Sequence, residues 1–355
     1  MSKHQTSLPE ILRRYRPAIV GYLRQLLTHD DAGLLTPMLR YQLGFEDASG
    51  QPGGGPAGKL LRPALLLTSC EAVGGDWKRV IPAACAIELV HNFSLVHDDI
   101  QDRDEKRHGR PSLWSVWGIA QGINAGDALQ MLAGLALHDL ALAERDVPEG
   151  QIMRVQRMMN EATLRMITGQ AQDISFEERL DVKLAEYLEM IVRKTGALME
   201  AACGMGACLG GANEETISAF SAFGERFGLA FQIRDDILGV WGEEARTGKA
   251  EANDLVRRKK SLPIVLAFER ARGPEREALR AFYRAPLSES EAASAGGIAE
   301  IIELLSRLGI DREAEELMRA ESVRALQALE MLALPSRSRT RLKELLDLLF
   351  AFPAD

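Results

Sequence analysis

The chain has 355 residues, 46% of them hydrophobic and 26% charged, enough for one large globular domain with a sizeable core. Its 43 basic and 51 acidic residues leave a net charge of −8, which argues against a nucleic-acid binder, because such proteins carry a basic surplus or stripe. No run approaches 18 apolar residues, so no membrane-spanning helix is expected, and the opening MSKHQTSLPEILRRYRP lacks the apolar centre of a signal peptide.

Apolar residues recur at helical spacing almost throughout and alternating strand patterns are scarce, so the chain reads as all-α. The stretch ASGQPGGGPAG (48–58) cannot hold a regular helix, because its glycines and prolines break one. It leads into GKLLRP, which places Lys59 and Arg62 three apart. An apolar segment containing His91, Phe93 and Ser94 then ends in DDIQDRDEKRHGR, with Asp98, Asp99 and Asp102 followed by Arg107 and His108. GQAQD carries Asp173. Leu184, Tyr187, Leu188, Ile191 and Val192 form one apolar helix face that runs into Lys194 and Thr195. FGLAFQIRDDILGVWGE contains Gln232 and delivers a second pair, Asp235 and Asp236. A polar stretch at 242–261 holds Lys249 and Lys259, and 285–297 reads as a connection between helices. The leucine-rich segments at 301–308 and 342–349 are again helical.

No stretch demands a domain split, so a single domain over 1–355 is expected. It has an N-terminal helix and loop to about 58, a core from about 59 to 285, and C-terminal helices from about 298 to 352. The four cysteines form no Cys-x-x-Cys pair and read as small buried thiols of a reduced, cytoplasmic protein.

Asp98 and Asp102 are four apart and lie on one face of a helix, where like charges cost about 0.2–0.5 kcal/mol. A solvated helix end would accommodate one such triplet. Two apolar helices that both end in adjacent aspartates suggest magnesium, a hard cation that combines one or two carboxylates with substrate phosphates. The cations at 59, 62, 194, 249 and 259 would each read alone as solvated surface charge, and they gain meaning from the aspartates.

Together these motifs, spread from Lys59 to Pro263, resemble the trans-isoprenyl diphosphate synthases of the polyprenyl synthetase family. DDIQD and DDILG resemble the family's two aspartate-rich motifs. The resemblance implies an antiparallel helical bundle around a deep central cavity, usually as a homodimer. It implies magnesium held by Asp98, Asp102 and Asp235, with Asp99, Asp173 and Asp236 as further candidate ligands. Arg107, Lys194, Lys249 and Lys259 would neutralise an allylic diphosphate, and Lys59, Arg62, His91 and His108 would hold isopentenyl diphosphate. Thr195 and Gln232 would stabilise the allylic cation. Phe93, with Ser94 beside it, would form the floor that limits product length, with geranylgeranyl diphosphate favoured and farnesyl diphosphate next.

Three departures stand out. Gly239 stands where many family members have a third aspartate and cannot bind metal, but Asp235 remains, so metal binding is expected to survive. His108 replaces the second of a paired arginine, which should make substrate binding weaken as pH rises through about 6.5. The C-terminal LLFAFPAD lacks the basic tail of some farnesyl synthases. Two rivals remain open. A class I terpene cyclase would use Asp235, Asp236, Gly239 and Glu243, but would not need Lys59, Arg62 and His91. A non-catalytic subunit of a heteromeric synthase would tend to lack the first aspartate motif, which is intact here.

Overall fold

The computed structural model describes residues 10–28, 30–56, 58–142, 145–242, 252–284 and 295–351. Lys249, Glu243 and the 285–294 part of the expected connection lie outside them. In chain order the described residues form α1 (Glu10–Leu26), α2 (Thr36–Gln42), α3 (Leu61–Ala72) and α4 (Ile81–Gln101). A hairpin of β1 (Lys106–Arg107) and β2 (Arg110–Pro111) precedes α5 (Leu113–Trp117), α6 (Ile119–His138) and α7 (Glu149–Phe176). Then come α8 (Leu184–Ile191), a π-helical turn (Val192–Gly196), α9 (Ala197–Leu209) and α10 (Glu214–Trp241). α11 (Asn253–Val256), α12 (Leu262–Arg270), α13 (Gly273–Arg284), α14 (Ala295–Arg307), α15 (Ile310–Ala328) and α16 (Ser336–Ala351) complete the chain. The all-α expectation holds, and the described residues of the 48–58 stretch are free of helix as its glycines require.

The chain divides into two compact units. The first holds the described residues of Met1–Thr163, Leu198–Gly224 and Leu329–Leu345. Its central helix is α4, buried without interruption from Pro82 to Val90, as suits a helix apolar on every side. α6 packs along α4 at two close approaches. A Cβ at Gly122 would run into the Ile100 side chain, and one at Gly126 into the His97 ring. α1 is fixed to α3 by Arg14 and Tyr15, whose Nη2 and hydroxyl both donate to Glu71 at 2.7 Å. Gly44 is left-handed, and a Cβ there would meet the Gly55 carbonyl, so the glycine-rich loop can fold back only on glycine.

The second unit holds the described residues of Leu164–Ala197, Glu225–Ala328 and Leu346–Asp355. α8 packs on α12, and α12 on α15. Gly169 of α7 lies so close to the Lys194 backbone that any Cβ would overlap it. This close approach sits beside the π-turn, a local irregularity that often accompanies function. All four cysteines are buried free thiols. Burial pushes Cys70 and Cys203 up to about 12, so both stay protonated and unreactive. Among the described residues no helix is long and apolar enough to cross a membrane.

Candidate active site

The first group of functional side chains sits in the first unit, where α4 ends. Asp98 and Asp99 lie in its last turn and Asp102 is its C-cap, with the Asp102 N–H bonded to the Asp98 carbonyl at 2.8 Å. The carboxyl end of a helix already carries partial negative charge, and this turn contains no basic residue. Three carboxylates there oppose the dipole, so the arrangement calls for a cation.

Arg107 supplies part of it. The β1–β2 hairpin turns through His108 and Gly109, both left-handed at φ 51° and 75°. Such a two-residue turn matches strand twist, and histidine tolerates the conformation better than most residues. Arg107 donates Nε and Nη2 to one oxygen of Asp99 at 2.7 and 2.6 Å, and Nη2 lies 3.6 Å from Asp98. The Asp99 side chain is 2% exposed, against 23% for Asp98. Burial pushes Asp99 up to about 6, although Arg107 works the other way. Asp99 therefore faces inward as a clamp on Arg107, while Asp98 and Asp102 face solvent.

Above this level of α4 lie the residues expected to hold a second anion. Arg62 Nη1 donates to His91 Nε2 at 3.1 Å. Burial, with Arg62, Arg107 and His108 around it, holds His91 well below its usual pKa, so it is neutral and orients Arg62. Lys59 is exposed at the start of this segment. His91, Asp99, Arg107, His108 and Glu88 line one cavity of about 70 Å³.

Glu88 is a buried acid that sequence reasoning passed over. Burial pushes it from 4.5 to about 7. Its folded pKa exceeds its unfolded one, so the stability it contributes is complete below about pH 4.5 and is lost as pH rises through 7. A shift of that size is worth at most about 3 kcal/mol. Glu88→Gln is expected to flatten the fall in Tm between pH 5 and 8, as read by calorimetry. An equally steep fall in both proteins would contradict this.

The second group lies in the second unit. The π-turn carries Lys194, whose Nζ donates to Asp173 Oδ2 at 2.6 Å, and Thr195, whose hydroxyl donates to Gln232 Oε1 at 2.7 Å. Gln232 Nε2 in turn donates to Asp236 Oδ1 at 3.0 Å. Asp236 Oδ2 accepts from the Tyr187 hydroxyl and from the Leu262 N–H. Burial pushes Asp236 up to about 6, countered by nearby Lys259 and reinforced by Asp254. For Asp173 burial also works upward, but Lys194 and Lys259 overcome it and hold the carboxyl below its ordinary value. Asp235 is 43% exposed, with Arg234 Nη1 3.5 Å away. The two aspartate pairs thus share a pattern: the first member faces outward, and the second is 1% exposed with inward hydrogen bonds.

At Gly239, a Cβ would collide with the Asp254 carboxylate. That buried carboxylate occupies the space beside the position where many members of the resembling family have an aspartate. Asp254 and Tyr187 carried no signal in the sequence. Asp254 stands in a polar loop, and Tyr187 reads as one residue of an apolar helix face. Phe93 is buried in α4, edge-on to His97 with ring centroids 4.9 Å apart, and the Ser94 hydroxyl bonds back to the His91 carbonyl at 2.8 Å.

The donors fit magnesium by their chemistry. Half-buried Asp98 and exposed Asp102 offer carboxylate oxygens at a negative helix end, and magnesium combines one or two such carboxylates with water and phosphate oxygens. No group of three metal-ligating side chains is gathered among the described residues.

Residues 54–301 match the sequence profile of the polyprenyl synthetase family. A (2E,6E)-farnesyl diphosphate synthase of Mycobacterium tuberculosis is 39% identical over 327 residues, covering 92% of this chain and 88% of that protein. A polyprenyl synthetase from Streptomyces coelicolor superposes with a TM-score of 0.87 at 38% identity, over 96% of this chain and 98% of that one. A geranylgeranyl pyrophosphate synthase from Corynebacterium glutamicum, complexed with isoprenyl diphosphate and magnesium, superposes at 0.81 with 25% identity, over 97% and 99%. The profile covers more than half of the chain and the farnesyl synthase relative most of it, so the chain belongs to the polyprenyl synthetase family.

Proposed function

We propose that this prenyltransferase condenses isopentenyl diphosphate with an allylic diphosphate, releasing diphosphate, with geranylgeranyl diphosphate as its product. The observation that carries the reading is the cationic group in the first unit. Arg62 bonded to His91, with Arg107 and His108 around it, suits a second anionic substrate that a terpene cyclase would not have. Asp98 with Asp102, and Asp235, would hold magnesium, which would supply Lewis-acid neutralisation of the diphosphate leaving group.

The chain's own groups do the rest. Arg107, Lys194 and Lys259 stabilise the charge that builds on the leaving oxygen as the allylic carbon–oxygen bond breaks. Lys249 joins them in this reading. Lys59, Arg62 and neutral His91 hold isopentenyl diphosphate, whose double bond attacks the allylic carbon. The oxygens of Thr195 and Gln232, fixed by their mutual hydrogen bond, face the cation. The proton lost from the new prenyl chain passes to the departing diphosphate. Asp99, Asp173 and Asp236 position Arg107, Lys194 and Gln232 in this reading. It is tested by offering an allylic diphosphate with and without isopentenyl diphosphate. Turnover only with both supports it, and turnover of the allylic substrate alone contradicts it.

Phe93 lies five residues before Asp98, about 7–8 Å along the helix, and its buried ring suits the floor for a growing chain. Phe93→Ala is expected to lengthen the main product by five carbons or more, as read by mass spectrometry. An unchanged product would place the floor elsewhere. A fifteen-carbon product is the second reading, favoured by the extent of the match to the M. tuberculosis farnesyl synthase. The exposed apolar residues Ile119, Ile123, Met131 and Leu135 of α6 support a homodimer, so light scattering should give twice 39.1 kDa rather than 39.1 kDa. The cytoplasm is its proposed compartment.

A further inference from the structure

We infer that Arg16 of α1 is a positioning residue for isopentenyl diphosphate, because it pins the end of the glycine-rich loop that delivers Lys59. The inference rests on the synthase reading above and adds a residue that lies before the family-matched stretch 54–301.

Arg16 reaches across 40 residues of sequence to the loop. Its Nη1 donates to the Gly58 carbonyl at 3.0 Å and its Nη2 to the Pro56 carbonyl. The Gly58 carbonyl is the last before Lys59. Among the described residues, the backbone–backbone bonds that fold the loop run as far as Gly55, whose N–H meets the Gly44 carbonyl at 2.9 Å. They resume at Leu60, which accepts from Ala64. The guanidinium fork holds both loop carbonyls between these two points. A lysine offers one point charge and cannot reproduce a planar two-pronged contact.

Burial lowers the Arg16 pKa, and the charge of buried Glu88 works against that; Glu88 lines one cavity with Pro56, Gly58 and His91. The charges of Arg62 and Arg16 both favour the ionised form of Glu88. α1 does not depend on Arg16 for its place. Tyr15 and Arg14 hold Glu71, the Tyr22 hydroxyl donates to Asp139 at 2.5 Å, and Ile19 and Leu23 are buried. Losing Arg16 should therefore free the loop end and leave the helix docked.

The test is steady-state kinetics of the full chain as wild type, Arg16→Met, Arg16→Lys, Lys59→Met and the double Arg16→Met/Lys59→Met, with Tm measured for each. Arg16→Met is expected to raise KM for isopentenyl diphosphate about tenfold, with the KM of the allylic substrate and kcat little changed. Arg16→Lys should recover little of this. Because Arg16 acts through Lys59, the double variant should be no weaker than Lys59→Met alone. A wild-type KM in Arg16→Met, beside a raised KM in Lys59→Met, would overturn the proposal and leave the synthase reading standing. Fully multiplicative losses in the double variant would overturn it too, as would a lowered Tm with equal losses toward both substrates. A wild-type enzyme that makes no use of isopentenyl diphosphate would remove the synthase reading itself.

Discussion

Asp98→Asn is expected to lower kcat/KM for the allylic substrate by about three orders of magnitude while leaving Tm unchanged or slightly higher. On the proposed reading the loss follows from removing a carboxylate that would present magnesium to the leaving diphosphate, a contribution worth several kcal/mol. The stability effect has the opposite sign. Asp98 sits at the negative end of α4, one turn from Asp102 and next to Asp99. Neutralising it relieves like-charge repulsion of about 0.2–0.5 kcal/mol and an adverse dipole interaction of about 0.3–1 kcal/mol, which offset the weakened, partly exposed contact with Arg107 at 3.6 Å. Kinetics at saturating magnesium, paired with calorimetry, separate the two. Parallel loss of activity and Tm would make Asp98 a structural residue, and full activity would remove it from the site.

Asp236→Ala should behave in the reverse way, with stability falling by roughly 3–5 kcal/mol and kcat falling with it. Asp236 accepts from the Tyr187 hydroxyl, the Gln232 amide and the Leu262 N–H, all in the interior of the second unit. Its removal leaves three donors without an acceptor, and each such buried group costs about 1–3 kcal/mol. Gln232 also loses the contact that orients it toward Thr195. Asp236→Asn keeps one acceptor and should cost less. Denaturant unfolding reads the first effect. An unchanged stability with weakened magnesium affinity would instead make Asp236 a metal ligand, as its place in the motif first suggested.

The contrast between these aspartates shows what the sequence could and could not convey. Both pairs were legible because two apolar helices that each run into adjacent carboxylates, together with the ordered cationic motifs, resemble one family, whereas either pair alone would read as a solvated helix end. Which member faces outward was not legible. That depends on Arg107 reaching Asp99 from a hairpin too short to show alternation, and on Tyr187 reaching Asp236 across 49 residues. The π-turn was hidden for a related reason. The apolar face of α8 continues in register as far as Val192, and the close approach of Gly169 lies far away in the chain. Gly239 read as a missing ligand, whereas its lack of a side chain is what lets the Asp254 carboxylate sit beside it. Arg16 carried no signal in the sequence, because its partners are backbone carbonyls, which carry no residue signature.

The most direct test of the account is mass spectrometry of products formed by the purified chain from isopentenyl diphosphate and a fifteen-carbon allylic diphosphate, with and without magnesium. A twenty-carbon prenyl diphosphate that appears only when isopentenyl diphosphate and magnesium are both present is the predicted result. A cyclic hydrocarbon formed without isopentenyl diphosphate, or no product under any condition, would contradict it.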